Sequence, residues 1–313
     1  MAYTPTSLPC AKPFLKWAGG KTQLLREFEE RLPPELENGK IEMYVEPFIG
    51  GGAMFFSLNR KYRFRRSVIC DLNQELILCY AAIKSSVRDL IGRLEELESA
   101  YSNRDDAERK DLYYAIRDTF NRDRPGFDFS RKNPGRVERA AQLIFLNRTC
   151  YNGLFRVNRN GGFNVPFGRY KNPDILNEEI LEEAAKVLRN TRIIHGDFTL
   201  CGKYADKGTF VYCDPPYRPI NPTSSFTQYA KGGFTDSDQE RLAMFIRDLD
   251  AKGVRVMLSN SDPKNADPDD PFFENLYCGF LQERVPARRS INCNGSRRGV
   301  INELIVTNYR SCP

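Results

Sequence analysis

Apolar residues in this chain gather in short β-branched runs, each closed by a polar or turn-forming residue. "MYVEP" stops at Pro47, "SVICD" at Asp71 and "TRIIHGD" at Asp197. "TFVYCDPP" and "VRVMLSN" follow, and "NELIVTNY" forms a last run. Runs of this length and composition, bounded by turn residues, predict buried strands. Between several of them the apolar spacing shifts to the helical period, as in Asp236–Ala251 and Asn177–Leu188. Strand alternating with helix predicts an α/β fold: a Rossmann-like, doubly wound and largely parallel sheet covered by helices.

From about Ser85 to Asn172 the alternation lapses. Helical stretches and a polar, glycine-containing loop occur there, with no buried-strand pattern. The interval is far longer than an ordinary crossover. It predicts an inserted helical subdomain, residues 85–176, set within a domain made of residues 1–84 and 177–313.

Composition narrows the classes. The 313 residues are 41% hydrophobic and 28% charged, which is ample for a core. A net charge of +6 permits a nucleic-acid partner, and the placement of the charge matters more than its total. Nine cysteines lie scattered without a Cys-x-x-Cys pair, as expected of reduced thiols in a cytoplasmic protein. A single histidine, His195, argues against a zinc site and against Ser-His or Cys-His chemistry, so no metal is expected. No apolar run reaches membrane-spanning length, and "MAYTPTSLPC" has no signal-peptide core, so no membrane is expected.

Three motifs carry chemistry. In "YVEPFIGGGAMFF" a strand runs into Gly50, Gly51 and Gly52 before a helix, so that backbone can approach a ligand and helix amides can face it. No Lys-Ser/Thr follows the glycines, which excludes a phosphate-cradling P-loop. Asp71 ends the next strand, where an acidic side chain commonly bonds ribose hydroxyls; the alternative is a helix cap. Together they suit an adenosine-containing cofactor, and the lack of a terminal phosphate binder favours a nucleoside sulfonium over a dinucleotide.

The third motif is "VYCDPPY". Asp214 follows a buried strand, and Pro215 and Pro216 end it abruptly. An adenine amine is a poor nucleophile because its lone pair is delocalised into the ring. To attack a methyl group it must pyramidalise, which calls for acceptors for both hydrogens. Asp214 offers a carboxylate and Pro215 a carbonyl, with no proline N–H to compete. Tyr217 offers a ring on which a planar base can stack.

These motifs carry a resemblance. "FLKWAGGKTQLL" (14–25), "EPFIGGGA" (46–53), "LNRTCYNGLFRVNRNGGFNVPFGRYKNP" (146–173), "VYCDPPY" (211–217) and "ARRSINCNGSRRGVINELIV" (287–306) resemble the Dam-type DNA adenine-N6 methyltransferases, in that family's order and over nearly the whole chain. The resemblance implies S-adenosylmethionine as cofactor, bound by Trp17, Lys21, Glu46, Gly50, Asp71 and Asp214, with Asp197 and Phe198 flanking its adenine. It implies catalysis by Asp214, Pro215 and Tyr217 on a flipped adenine, and residues 85–176 as the target-recognition domain.

The stretch from Tyr151 to Pro173 holds Arg156, Arg159, Arg169 and Lys171 and no acidic residue, with Tyr151, Phe155, Phe163, Phe167 and Tyr170 interleaved. Such a mixture suits phosphate contact and base reading in double-stranded DNA. By resemblance Arg156 and Lys16 read guanines, and Leu154 and Pro166 pack on base edges. Arg169 and Tyr170 complete the reader, and Tyr151 and Asn152 fill the gap left by the flipped base. The implied target is the adenine of GATC, and the implied enzyme is a monomer. Arg288–Arg298 is a second acid-free segment that suits a phosphate clamp, whereas "SDPKNADPDDPFF" reads only as a loop. Two rivals remain. One is a protein-glutamine methylase, which would carry Asn-Pro-Pro-Tyr where this chain has Asp214. The other is a DNA-binding module with a decayed site, which intact Asp71, Asp214 and Tyr217 oppose.

Overall fold

In the computed structural model, residues 10–17, 19, 21–130, 133–218, 233–288 and 300–311 are described. Strands β1 (Met43–Glu46), β2 (Arg66–Asp71), β3 (Thr191–His195), β4 (Thr209–Cys213), β5 (Arg255–Ser261), β6 (Leu281–Arg288) and β7 (Val300–Thr307) form one sheet in the order β3-β2-β1-β4-β5-β7-β6. The helices are α1 (Leu25–Glu29), α2 (Ala53–Lys61), α3 (Gln74–Ser102), α4 (Asp106–Asp123), α5 (Arg136–Thr149), α6 (Glu178–Leu188), α7 (Asp236–Ala251) and α8 (Phe272–Leu276). The predicted α/β architecture is the one observed. Among the described residues no helix is long and apolar enough to cross a membrane.

The chain divides into two compact units. One comprises Met1–Gly20, Gly50–Arg63 and Asn73–His195, and the other Lys21–Ile49, Phe64–Leu72 and Gly196–Pro313. In the second unit β1 pairs in parallel with β2 on one side and β4 on the other, and β4 pairs in parallel with β5. The chain therefore winds in opposite directions from β1, which makes the carboxyl ends of β1 and β4 a topological switch point, where open α/β sheets bind ligands. Glu46 ends β1 there, and Asp214 follows β4. Every residue of β4 is buried, as a parallel strand covered on both faces requires.

Strand β7 runs antiparallel between β5 and β6. The sequence reading misses β6, "LQERVPAR", because charges and Pro286 interrupt its apolar pattern. Among the described residues β6 is an edge strand, and an edge tolerates both, since one side of its ladder is left without a partner strand. Helix α7 begins at the predicted residue: Thr235 and Asp238 form a capping box that satisfies the first turn.

The first unit is built on α3, α4 and α5. Asn73 caps α3, and a non-helical residue, Ser86, kinks it. Helix α5 is buried along most of its length. On it, Arg139 forks onto both oxygens of Glu75 in α3, at 2.7 and 2.5 Å, donates to the Phe120 carbonyl at 3.1 Å and lies 4.1 Å from the Phe120 ring centre. Both charges are almost fully buried, so removing one partner costs about 3–5 kcal/mol.

Candidate active site and nucleic-acid interface

In the second unit the residues after β4 meet a lysine from the N-terminal motif and a carboxylate from β7. Lys21 begins a short 3-10 helix and is 6% exposed. Its Nζ lies 2.6 Å from Asp214 Oδ1, 3.6 Å from Glu303 Oε1 and 4.6 Å from the centre of the Tyr217 ring. Ser259 of β5 donates to the same Asp214 oxygen at 3.2 Å, and its hydroxyl also lies 2.9 Å from that of Tyr212. The Tyr217 hydroxyl donates to Glu303 Oε1, while the residue as a whole stays 38% exposed. A cation thus sits between two carboxylates, with a partly exposed ring at their edge.

Burial pushes the Asp214 carboxyl above the ordinary aspartate range, against the opposing pull of Lys21 and Ser259. Glu303, 3% exposed, is lifted by burial to about 7, with Lys21 and the Tyr217 hydroxyl pulling it down and Asp214 adding to the rise. Burial and both carboxylates push the Tyr217 hydroxyl far up, which keeps it a donor. Asp214 is therefore a stronger acceptor than a solvated aspartate, and Pro215 beside it is buried.

The loop is held at its far end. Arg218 forks onto Asp236 at 2.8 and 2.9 Å, reaches Asp270 at 2.6 Å and lies 4.1 Å from the Phe272 ring centre. Gln239 of α7, fully buried, donates to the Pro216 carbonyl at 3.4 Å. The acidic segment read only as a loop thus supplies Asp270 as an anchor for Arg218. It also supplies Asp262, fully buried and 2.8 Å from Arg284.

Apart from Lys21, the predicted cofactor residues of this unit lie at or just after strand ends. Glu46 is buried and accepts the Tyr44 hydroxyl at 2.6 Å. Asp71, half-buried at the end of β2, accepts the Gly196 N–H at its backbone carbonyl at 3.1 Å. Asp197 caps the turn that follows: Oδ1 accepts from Thr199, and Oδ2 lies 3.0 Å from Arg241. Although burial works to raise its pKa, these bonds hold Asp197 below the usual value. Phe198 is buried against Phe48 and Phe245, with ring centres 5.4 and 5.5 Å away.

In the first unit Trp17 lies on the glycine turn. A Cβ at Gly50 or Gly51 would stand 3.0 or 2.9 Å from Trp17 atoms, so a larger residue there would displace the indole. Gly50 and Gly52 have positive φ, and the Gly50 carbonyl accepts the Tyr80 hydroxyl at 3.0 Å. The indole also stacks on Phe155 at 5.4 Å.

The basic stretch in this unit alternates. Arg156, Arg159, Arg169 and Lys171 are all exposed, while Phe155, Phe163 and Phe167 turn into the core. The interleaved aromatics are thus of two kinds: three form the floor, and Tyr151, 55% exposed, and the half-buried Tyr170 stay at the surface. The Arg156 guanidinium is fixed by Asn164, at 2.8 Å to its side-chain oxygen and 3.2 Å to its carbonyl. Asn152 and Arg169 both have φ of 56°, a left-handed conformation uncommon outside glycine. The Tyr170 hydroxyl accepts the Asn152 N–H at 3.2 Å, and Tyr151 N–H bonds the Pro166 carbonyl at 2.9 Å. Leu154 is half-buried beside them.

Asn147 of α5, missed from sequence, joins this loop to the N-terminal motif. It accepts the Lys16 N–H and donates to the carbonyls of Lys16 and Gly153, each at 2.9 Å. Lys16 Nζ lies 5.1 Å from the Tyr170 ring centre. The basic segment Arg288–Arg298 lies outside the described residues apart from the backbone of Arg288.

Residues 17–291 match the family model described as D12 class N6 adenine-specific DNA methyltransferase. The chain is 50% identical over 299 residues to the type II methyltransferase M.MjaIII of Methanocaldococcus jannaschii, covering 95% of this chain and 99% of that one. It is 41% identical to the type II methyltransferase M1.LlaDCHI of Lactococcus lactis subsp. cremoris, covering 95% of both. It is 34% identical to the DNA adenine methylase of Escherichia coli (strain K12), covering 94% of both.

Proposed function

Since the chain belongs to the D12 class N6 adenine-specific DNA methyltransferases, we propose that it methylates the adenine of GATC from S-adenosylmethionine, with Asp214, Pro215 and Tyr217 at the reacting amine. The observation that carries this reading is the half-buried Asp214 carboxyl at the switch point, raised by desolvation and with Lys21 and Ser259 both on Oδ1. Oδ2 is then the oxygen for one hydrogen of the adenine amine, and the Pro215 carbonyl accepts the other. Held this way the nitrogen pyramidalises and presents its lone pair. With a methyl donor bound, Asp214 would take up the proton that the amine gives up on methylation. The Tyr217 ring stacks on the flipped base.

The donor set suits the cofactor. Asp71 ends β2, where an acidic side chain commonly bonds ribose hydroxyls, and Asp214 supplies negative charge for a sulfonium. Glu46, Lys21, Asp197 and Phe198 surround the same strand ends, and Trp17 and Gly50 belong to the glycine turn. When bound, S-adenosylmethionine supplies the electrophilic methyl group. The specificity half of the reading rests on the exposed basic row over a phenylalanine floor and on Arg156 held by Asn164. A planar guanidinium fixed in this way suits the bidentate guanine contact. Lys16, Tyr151, Asn152, Leu154, Pro166, Arg169 and Tyr170 complete the DNA surface. The test is to treat unmodified plasmid with the purified protein and cofactor and map N6-methyladenine. Modification confined to GATC is expected. Modification at another sequence would overturn the target, and no N6-methyladenine would overturn the whole reading.

A further inference from the structure

Glu303 falls within the last of the quoted motifs, residues 287–306, but none of the site roles implied by resemblance falls on it. It occupies β7, paired with Ser261 of β5 and Val285 of β6, so strands on both sides fix its backbone. Its side chain is 3% exposed, an unusual place for a carboxylate without a task. Two groups of the transfer site meet its Oε1: the Tyr217 hydroxyl, which donates to it, and Lys21 Nζ at 3.6 Å. Tyr217 sits on an irregular segment that follows two prolines, and its ring is the more exposed part of the cluster. A ring on such a segment stays in one plane only if its far end is tied, and the sheet supplies the tie.

We propose that Glu303 is a positioning residue for methyl transfer, anchoring the Tyr217 ring through its hydroxyl and sharing Lys21 with Asp214. This rests on the reading of Tyr217 as the stacking partner of the target base. Glu303 does not touch the reacting atoms. It sets the angle at which the base is offered and keeps Lys21 from settling wholly on Asp214. Misplacement by about 1 Å can cost a hundred-fold in rate, so a loosened ring registers in turnover before it registers in binding.

The test compares wild type, Tyr217→Phe, Glu303→Gln and the double variant, reading kcat and KM for duplex DNA under saturating S-adenosylmethionine. Each single variant is expected to lower kcat about ten-fold, the equivalent of about 1.4 kcal/mol, with KM for DNA within about two-fold of wild type. The double variant should be no slower than the slower single, because both changes weaken the same link: glutamine keeps an acceptor oxygen but loses the charge that holds the Tyr217 hydroxyl and Lys21. Full additivity, or wild-type kcat in Glu303→Gln, overturns the proposal. Tyr217→Phe keeps the ring and removes only the hydroxyl of a partly exposed residue. Undiminished kcat in that variant therefore overturns the proposal even if Glu303→Gln does not fold. A wild-type protein that leaves DNA unmethylated would instead overturn the functional reading.

Discussion

Replacing Glu303 with Gln should stabilise the protein at alkaline pH while slowing it. The carboxyl is 3% exposed and lifted by burial from an ordinary 4.5 to about 7, a net value that already contains the opposing pull of Lys21 and Tyr217. The folded chain therefore holds a proton between pH 4.5 and about 7 that the unfolded chain has released. Stability from this group is fully present below 4.5 and is lost as pH rises through about 7. Those roughly 2.5 pH units at about 1.4 kcal/mol each make about 3.5 kcal/mol, and glutamine, which does not titrate, escapes the loss. All other groups are common to both proteins, so the difference between their melting temperatures isolates residue 303. Melts at about pH 5 and about pH 8.5 should show the gap widening in favour of the variant by several degrees. A gap equal at both pH values, or widening toward wild type, would refute the reasoning.

Other substitutions separate chemistry from binding. Asp214→Ala should abolish methyl transfer and leave DNA affinity within a few-fold by gel shift, because in the proposed reaction its carboxylate acts on the amine while affinity rests on phosphate and groove contacts. Asp71→Ala should raise the cofactor KM far more than it lowers kcat at saturation, since a ribose contact is made equally in ground and transition states; an unchanged KM would make Asp71 purely structural. Arg156→Ala should narrow discrimination at one flanking base pair by about five- to 150-fold, the worth of a bidentate arginine–guanine pair of about 1–3 kcal/mol, measured as kcat/KM on GATC and its single-base variants. Uniform loss on all substrates would instead assign Arg156 to the phosphate backbone.

Strand β4 was legible because a strand buried on both faces must be apolar throughout, and α7 because its cap and its amphipathic spacing agree. Strand β6 was not, since an edge needs little apolar surface and accepts Pro286. The basic stretch was legible in charge but not in its second face. Phe163, Val165 and Phe167 alternate with period two, and that periodicity, rather than the mixture of aromatic and basic residues, separates floor from surface. Asp214 and Tyr217 stood out because a carboxylate, two prolines and a ring crowd the end of one strand. Glu303 was hidden: one acidic residue in "NELIV" looks like an exposed position of a strand, and its partner Tyr217 lies 86 positions away. Asn147 was hidden for the same reason, reaching Lys16 across 131 positions.

Strand β7 also governs the order in which the molecule can be assembled. It lies between β5 and β6, and among the described residues β6 borders no other strand, so residues 281–288 leave the ribosome before the strand they must pair with. Until β7 inserts, β5 keeps an open edge, and Tyr217 and Lys21 wait for a carboxylate that emerges 86 and 282 residues after them. A nascent chain can complete its early parallel strands well before it can orient the tyrosine. On the proposed role of Glu303, competence arrives only with residues 300–307, and a chain interrupted before that strand would keep much of the parallel sheet without a finished site.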